Sequence, residues 1–206
     1  MRAIALNATL KKTDTMAVSS TDFLLDIFRK SFLSMDVETE VLRLADHDIK
    51  AGVTADEGRG DAWPAIRGKI LAADILVMGT PIWLGQPSSI CKRALERMDA
   101  FLGETDEAGR MPTFGKVCLV AVVGNEDGAH HVSAELYQAL NDVGFTVSAN
   151  AVGYWVGEAM GSTNFVDLPE VPEKVQSTVQ MAVSNGVHLA RLLAENQYPP
   201  PRQVGS

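Results

Sequence analysis

The chain has 206 residues, 46% of them hydrophobic and 21% charged, and a formal net charge of −8. This length suits one domain with a sizeable core, and the negative charge disfavours nucleic acids and anionic membrane surfaces, which are bound through lysine and arginine. Because the sequence shows neither a signal-peptide pattern after Met1 nor an apolar run near the ~18 residues of a membrane span, we expect a cytoplasmic protein.

Five short apolar runs predict β-strands, at residues 3–6, 40–44, 75–78, 117–123 and 146–152. Most of these runs are continuous rather than alternating, which is typical of strands that are covered on both faces in a parallel sheet. Helical patterns lie between and after them, starting near Ser20 and covering about 62–73, 90–98, 132–143 and 172–196.

The helix patterns also assign side chains to the surface or the interior. The third helix is predicted to expose four charged residues, Lys92, Arg93, Glu96 and Arg97. Trp63 lies on the second helix, which is predicted to be a surface helix, and residues 52–60 before it are predicted to form a flexible surface loop. Gly186 in the last helix indicates close packing, because glycine destabilises a helix by about 1 kcal/mol relative to alanine.

The repeated strand–helix order predicts one domain over residues 1–196, with an α/β fold. Right-handed crossovers give a doubly wound five-stranded parallel sheet with helices on both faces. Strand order 2-1-3-4-5 suits five strands and places a ligand beyond the carboxyl ends of the first and third.

Residues 197–206 are proline-rich and are expected to form a mobile tail. Cys91 and Cys118 are expected to be buried thiols, since neither has the spacing of a metal site.

The loop after the first strand is predicted to bind a phosphate. It joins a strand to a helix start, where free backbone N–H groups attract anions and hydroxyl side chains complete the site. The candidate ligands are Thr9, Lys11, Ser19, Ser20 and Thr21. The alternative is an ordinary helix cap after a solvated loop.

The loop after the third strand is predicted to form a rigid, partly apolar wall for a flat conjugated ligand. Prolines stiffen this segment, and a glycine allows close backbone approach. The candidate residues are Pro81, Ile82, Trp83, Leu84 and Gly85. In the alternative interpretation, Trp83 only packs the third helix against the sheet.

The loop after the fourth strand offers successive backbone N–H groups that suit the polar edge of a heterocycle. Its candidate residues are Gly124, Asn125, Glu126, Asp127 and Gly128. A turn followed by a helix cap is the alternative. Tyr154 and Trp155 follow the fifth strand, where they either cover a substrate pocket or pack in the core or at a subunit contact.

Taken in order, these loops resemble the flavin site of the NADPH-dependent FMN reductases. Thr9-Leu10-Lys11 with Ser19-Ser20-Thr21-Asp22 is similar to their phosphate loop. Gly79 to Gly85, followed by Lys92 and Arg97, is similar to their flavin-ring loop, and Gly124 to Gly128 is similar to the third loop. The resemblance covers about residues 3–156. Thr9 and Lys11 stand where the family usually has serine and arginine, and residues 12–18 lengthen the first loop.

The resemblance implies a flavodoxin-like fold, noncovalently bound FMN, and NADPH or NADH as co-substrate. Hydride would pass from the nicotinamide C4 to flavin N5 and on to a small-molecule acceptor such as a quinone or free flavin. Because the cofactor carries this chemistry, we name no catalytic side chain and expect no metal. The family also implies a homodimer or homotetramer. The alternatives are a flavodoxin-type electron carrier with a protein reductase partner and a flavin-free scaffold or regulatory domain.

Overall fold

The computed structural model describes residues 1–15, 17–158 and 161–200. Its strands are β1 (Arg2–Asn7), β2 (Glu38–Arg43), β3 (Ile75–Trp83), β4 (Gln86–Pro87), β5 (Val117–Gly124) and β6 (Thr146–Val156). Parallel pairing gives the order β2-β1-β3-β5-β6, while the two-residue β4 pairs antiparallel with the end of β3. The predicted flavodoxin-like order of the five parallel strands is therefore confirmed.

Helices cover both faces of the sheet, as predicted. Those in the described part of the chain are α1 (Ser20–Leu33), α2 (Trp63–Ala72), α3 (Ser89–Met98), α4 (Ala129–Asp142) and α5 (Glu173–Glu195). Side chains of α1 and α5 form one hydrophobic cluster with the sheet, and those of α2, α3 and α4 form another on the opposite face. None of these helices combines the length and the hydropathy that crossing a membrane requires.

Two strands run further than their apolar segments. β3 continues to Trp83, so much of the predicted second loop is a β-hairpin rather than a loop. β6 continues to Val156, and Tyr154 and Trp155 lie inside it, opposite Val122 and Val123. Pairing with β5 holds these polar and aromatic residues extended, although the sequence places them after the strand.

The interior bears out two smaller predictions. A Cβ atom at Gly186 would lie 3.1 Å from Leu119 Cδ2, so the glycine allows α5 to approach β5 closely. Cys91 and Cys118 are buried and free, and burial raises the pKa of each thiol to about 12. Thiols in this state are poor nucleophiles.

The carboxyl-terminal tail is partly packed against the domain. The Tyr198 ring lies 5.8 Å from that of Phe114, and the Tyr198 hydroxyl lies 3.0 Å from Thr146 Oγ1. These contacts hold the first residues of the predicted mobile tail at the end of the sheet where β6 begins. Residues 201–206 of the tail lie outside the described residues.

The prediction that Arg97 faces solvent is wrong. Its side chain is completely buried and forms an ion pair with the equally buried Asp61, with 2.7 Å between Nη2 and Oδ2. The guanidinium also donates to the carbonyl oxygens of Lys50 and Thr54. Residues 52–60, predicted to be a flexible loop, are thereby anchored to α3. The periodicity of α3 does not predict that Arg97 is buried, because the partners of its guanidinium come from a segment distant in the sequence.

Trp63, on the predicted surface helix, is also buried, and its ring lies 5.7 Å from the Arg97 guanidinium. Burial raises the pKa of Asp61, but the bonds from Arg97 and from the backbone N–H groups of Glu57, Trp63 and Lys50 outweigh it and hold the pKa well below its usual range. The carboxylate therefore stays ionised at neutral pH and remains bound to its cation.

Replacing Arg97 with methionine keeps much of the apolar volume but leaves the Asp61 carboxylate buried without its cation. Removal of one partner from such a pair costs about 3–5 kcal/mol, and we expect urea unfolding to show a loss of that size. Arg29→Met, which removes the half-exposed pair with Asp26, is the control and should cost less than about 1 kcal/mol. Equally small losses would show that the Arg97–Asp61 pair does not anchor the loop.

Candidate functional site

A cleft opens at the carboxyl edge of the sheet, where β1, β3, β5 and β6 end. It is lined by Thr9, Leu10, Lys11, Ser19, Ser20, Thr21, Pro81, Ile82, Trp83, Val123, Gly124, Asn125, Trp155, Asn164 and Phe165. The cleft thus brings together parts of all three predicted loops beside the β1–β3 boundary. The predicted residues outside this lining are Leu84, Gly85, Glu126, Asp127 and Gly128.

The amino terminus of α1 forms one wall of the cleft. Ser19 caps the helix, its hydroxyl accepting from the Asp22 N–H at 3.2 Å. The backbone N–H groups of Ser20 and Thr21 have no hydrogen-bond acceptor among the described residues. Lys11 lies across from them, and its Nζ donates to Val18 O at 2.6 Å. An ammonium group carries three donors, so two remain for a ligand.

A polar network that the sequence analysis missed supports this wall from beneath. Asn7 Oδ1 accepts from the Thr9 N–H at 2.9 Å, and Asn7 Nδ2 donates to Asp22 Oδ1. Arg43, at the end of β2, forms an ion pair with the Asp22 carboxylate and donates to Lys11 O. The guanidinium therefore offsets a carboxylate that would otherwise repel an anion at the helix start.

The end of β3 and its hairpin form the second wall. Pro81, Ile82 and Trp83 line the cleft, and Trp83 is 53% exposed. Leu84 and Gly85 make the two-residue turn, with φ values of 52° and 73°. Leu84 points away into solvent, 91% exposed, so the predicted apolar wall consists of Trp83 and the residues before it.

The segment after β5 forms the third wall. Gly124 and Asn125 line the cleft, and the Gly124 carbonyl accepts from the Gly157 N–H at 2.9 Å. The backbone N–H groups of Glu126 and Asp127 have no acceptor in the described part of the chain. The Glu126 side chain reaches the neighbouring wall instead, where Oε1 accepts from the Leu84 N–H at 2.8 Å.

Aromatic residues complete the cleft on the side of β6. Trp155 stacks on Phe165, with ring centroids 5.2 Å apart and 29° between the planes, and Phe23 lies 5.2 Å from Phe165. Tyr154 falls on the opposite face of the strand, with its hydroxyl 3.1 Å from His130 Nε2. Alternation along β6 could have separated Tyr154 from Trp155, but no local signal in the sequence indicated Asn164 or Phe165.

Comparison with known proteins identifies the family. The sequence profile described as NADPH-dependent FMN reductase matches residues 1–160. This chain belongs to that family. The free N–H groups at the start of α1 and the aromatic walls have the chemistry that a flavin phosphate would require.

Two similar proteins cover nearly the whole chain. The 8-demethyl-8-aminoriboflavin-5′-phosphate synthase of Streptomyces davaonensis is 34% identical over 211 residues, covering 96% of this family member and 80% of that protein. The crystal structure of RosB with the bound intermediate 8-demethyl-8-formylriboflavin-5′-phosphate is 32% identical with a TM-score of 0.88, covering 96% of this chain and 82% of that one.

A third relative is much longer. The divalent metal cation transporter MntH of Mycobacterium bovis is 34% identical over an alignment of 201 residues that covers 94% of this FMN reductase family member. The chain spans 29% of the length of that protein. The similarity therefore concerns one segment of the longer protein.

Replacing Lys11 with methionine tests the anion-binding wall. We expect FMN binding to weaken about 10-fold, or about 1.4 kcal/mol, because a charged hydrogen bond to the phosphate is lost. Riboflavin binding should not change, since riboflavin has no phosphate. Titration calorimetry of flavin-free protein with both ligands at one salt concentration measures the difference. Lys12→Met, outside the cleft lining, is the control. Equal losses for both ligands would remove Lys11 from the phosphate site.

Proposed function

We propose that this chain is an FMN-dependent NAD(P)H oxidoreductase that passes electrons to a quinone, a free flavin or another small-molecule acceptor. One observation carries the proposal: a single cleft joins an anion-binding helix start to apolar, aromatic walls. Lys11 and the N–H groups of Ser20 and Thr21 suit the phosphate, while Trp83 and Trp155 suit a conjugated ring. Family membership supports FMN over other phosphate esters.

The proposed cofactor is FMN rather than FAD. The helix start offers a site for one terminal phosphate, and the sequence shows no dinucleotide-binding glycine motif for an adenosine half. The proposed ligands are those of the sequence analysis that line the cleft, together with Asn164, Trp155 and Phe165. Glu126 and Asp127 contribute through their backbone N–H groups.

When bound, FMN would supply two-electron chemistry, taking hydride from NADPH or NADH and passing electrons to the acceptor. The protein's part is to bind and orient the ring and to exclude water from it. Pro81 and Trp83 would form one side of the ring pocket, next to the segment that begins at Gly124. The backbone N–H groups of Glu126 and Asp127 would stabilise negative charge on the polar edge of the ring.

We further propose one domain over residues 1–196, a cytoplasmic location and a homodimer or homotetramer. The family and the absence of a membrane-spanning helix among the described residues support this setting.

A second candidate function is chemical modification of a flavin phosphate, which would then be a substrate. The similarity to the Streptomyces davaonensis synthase, and to RosB holding a formylated riboflavin phosphate, favours this candidate. Mass spectrometry of the flavin recovered after incubation distinguishes the two functions. An unchanged mass after many rounds of NAD(P)H oxidation supports the reductase, and a changed mass supports the modifying enzyme.

Anaerobic titration of the FMN-loaded protein with NADPH and with NADH tests the proposed reductase directly. We expect the visible absorption band of the oxidised flavin to bleach with one equivalent of the preferred nucleotide. No bleaching with either nucleotide would favour a carrier reduced by a protein partner. Failure to bind FMN at all would favour the flavin-free scaffold.

Replacing Trp83 with alanine should weaken FMN binding by about 1–3 kcal/mol, by analogy with aromatic stacking on nucleobases. Fluorescence titration of the flavin measures this change. Tyr198→Ala removes an exposed aromatic residue at the other end of the sheet and is the control that should not alter FMN affinity. If Trp83→Ala lowers only the melting temperature of the flavin-free protein, Trp83 packs the hairpin and is not part of the ring site.

A further inference from the structure

The turn between β3 and β4 has an unfavourable residue at its tip. Both central positions of this two-residue turn have positive φ, a geometry for which Asn-Gly is the preferred pair. Here the pair is Leu84-Gly85, with φ values of 52° and 73°. A leucine seldom adopts this conformation, because its Cβ crowds the backbone. Since Leu84 is 91% exposed, its own packing does not hold the turn in place.

A carboxylate from the neighbouring loop contacts this tip. Glu126 Oε1 accepts from the Leu84 N–H at 2.8 Å, across 42 residues of sequence. The two loops also touch through their backbones, since a Cβ at Gly128 would lie 3.0 Å from Gly85 Cα. The Glu126–Leu84 hydrogen bond therefore joins the second wall of the cleft to the third.

Trp83 directly precedes Leu84, whose N–H donates this hydrogen bond. The Trp83 side chain lines the cleft, while Asn125, directly before Glu126, lines the neighbouring wall. A shift of the hairpin tip therefore moves Trp83 and changes the separation of the two walls. Glu126 is half-buried and lies outside the cleft lining, so its carboxylate acts on the hairpin.

We infer that Glu126 is a positioning residue: its carboxylate holds the strained Leu84 turn and so fixes Trp83 as a wall of the ring pocket. The inference rests on the proposed FMN site for its consequence, although the hydrogen bond itself does not require a ligand.

Hydrogen exchange of the Leu84 amide in the flavin-free protein tests the bond without any ligand. Glu126→Ala should accelerate exchange about 10-fold, since the acceptor is lost, whereas Glu126→Gln keeps an acceptor oxygen and should stay within about threefold of the wild type. Glu96→Ala, an exposed carboxylate on α3, is the matched control and should have no effect. Equal exchange in the Glu126→Ala variant and the wild type would overturn the inference.

A double substitution separates positioning from direct contact with the flavin. Glu126→Ala should weaken FMN binding about 10-fold, and Glu126→Gln should restore it. Leu84→Asn supplies the Asn-Gly pair that favours this turn, so adding it to Glu126→Ala should return the affinity to within about threefold of the wild type. A carboxylate that touched FMN directly would not be replaced in this way. Absence of rescue by either route would overturn the positioning role.

The two measurements also separate this inference from the proposed function. If the wild type binds no FMN, the proposed function fails, and the amide exchange of Leu84 still decides whether Glu126 holds the turn. If the wild type binds FMN and both Glu126 variants bind it as tightly as the wild type does, the proposed function stands and the positioning role fails.

Discussion

The hydrogen-bonded pairing of β3 with β1 on one side and β5 on the other is the interaction on which the site depends. Because the three strands are parallel, their carboxyl ends reach one edge together: Asn7 pairs with Gly79, and Pro81 with Val123. Each strand therefore delivers its loop to the same cleft. The arrangement requires apolar cover on both faces, which the two hydrophobic clusters provide.

Polar contacts then set the positions of the loops at this edge. Such segments contain too few apolar side chains to be fixed by packing alone, and directional bonds take over that role. Asn7, Asp22 and Arg43 support the wall formed by the start of α1, and Glu126 joins the second wall to the third. The Arg97–Asp61 pair does the same for residues 52–60, so the arginine that resembles a family motif residue has a structural role here.

Polar contacts also account for the departures from the family's phosphate loop. The additional residues after Lys11 return to the site at Val18, whose carbonyl accepts from the lysine Nζ. The long loop therefore ends by holding Lys11 at the cleft. A lysine acts on a phosphate as a point charge, whereas an arginine offers a bidentate fork. In the proposed phosphate site, geometric recognition would thus depend more on the helix N–H groups and on the network beneath them.

The sequence by itself determined the sheet, its strand order and the three loops that meet at its edge, because continuous apolar runs and helix caps are local signals. Thr9, Lys11, Trp83 and Gly124 were assigned from such signals. Only the tertiary structure decided that Arg97 is buried, that Phe165 joins the cleft and that the Glu126 side chain binds a backbone amide. Each of these depends on a partner distant in the chain, and the energy of an ion pair, a ring stack or a hydrogen bond is fixed by separation in space rather than by position in the sequence.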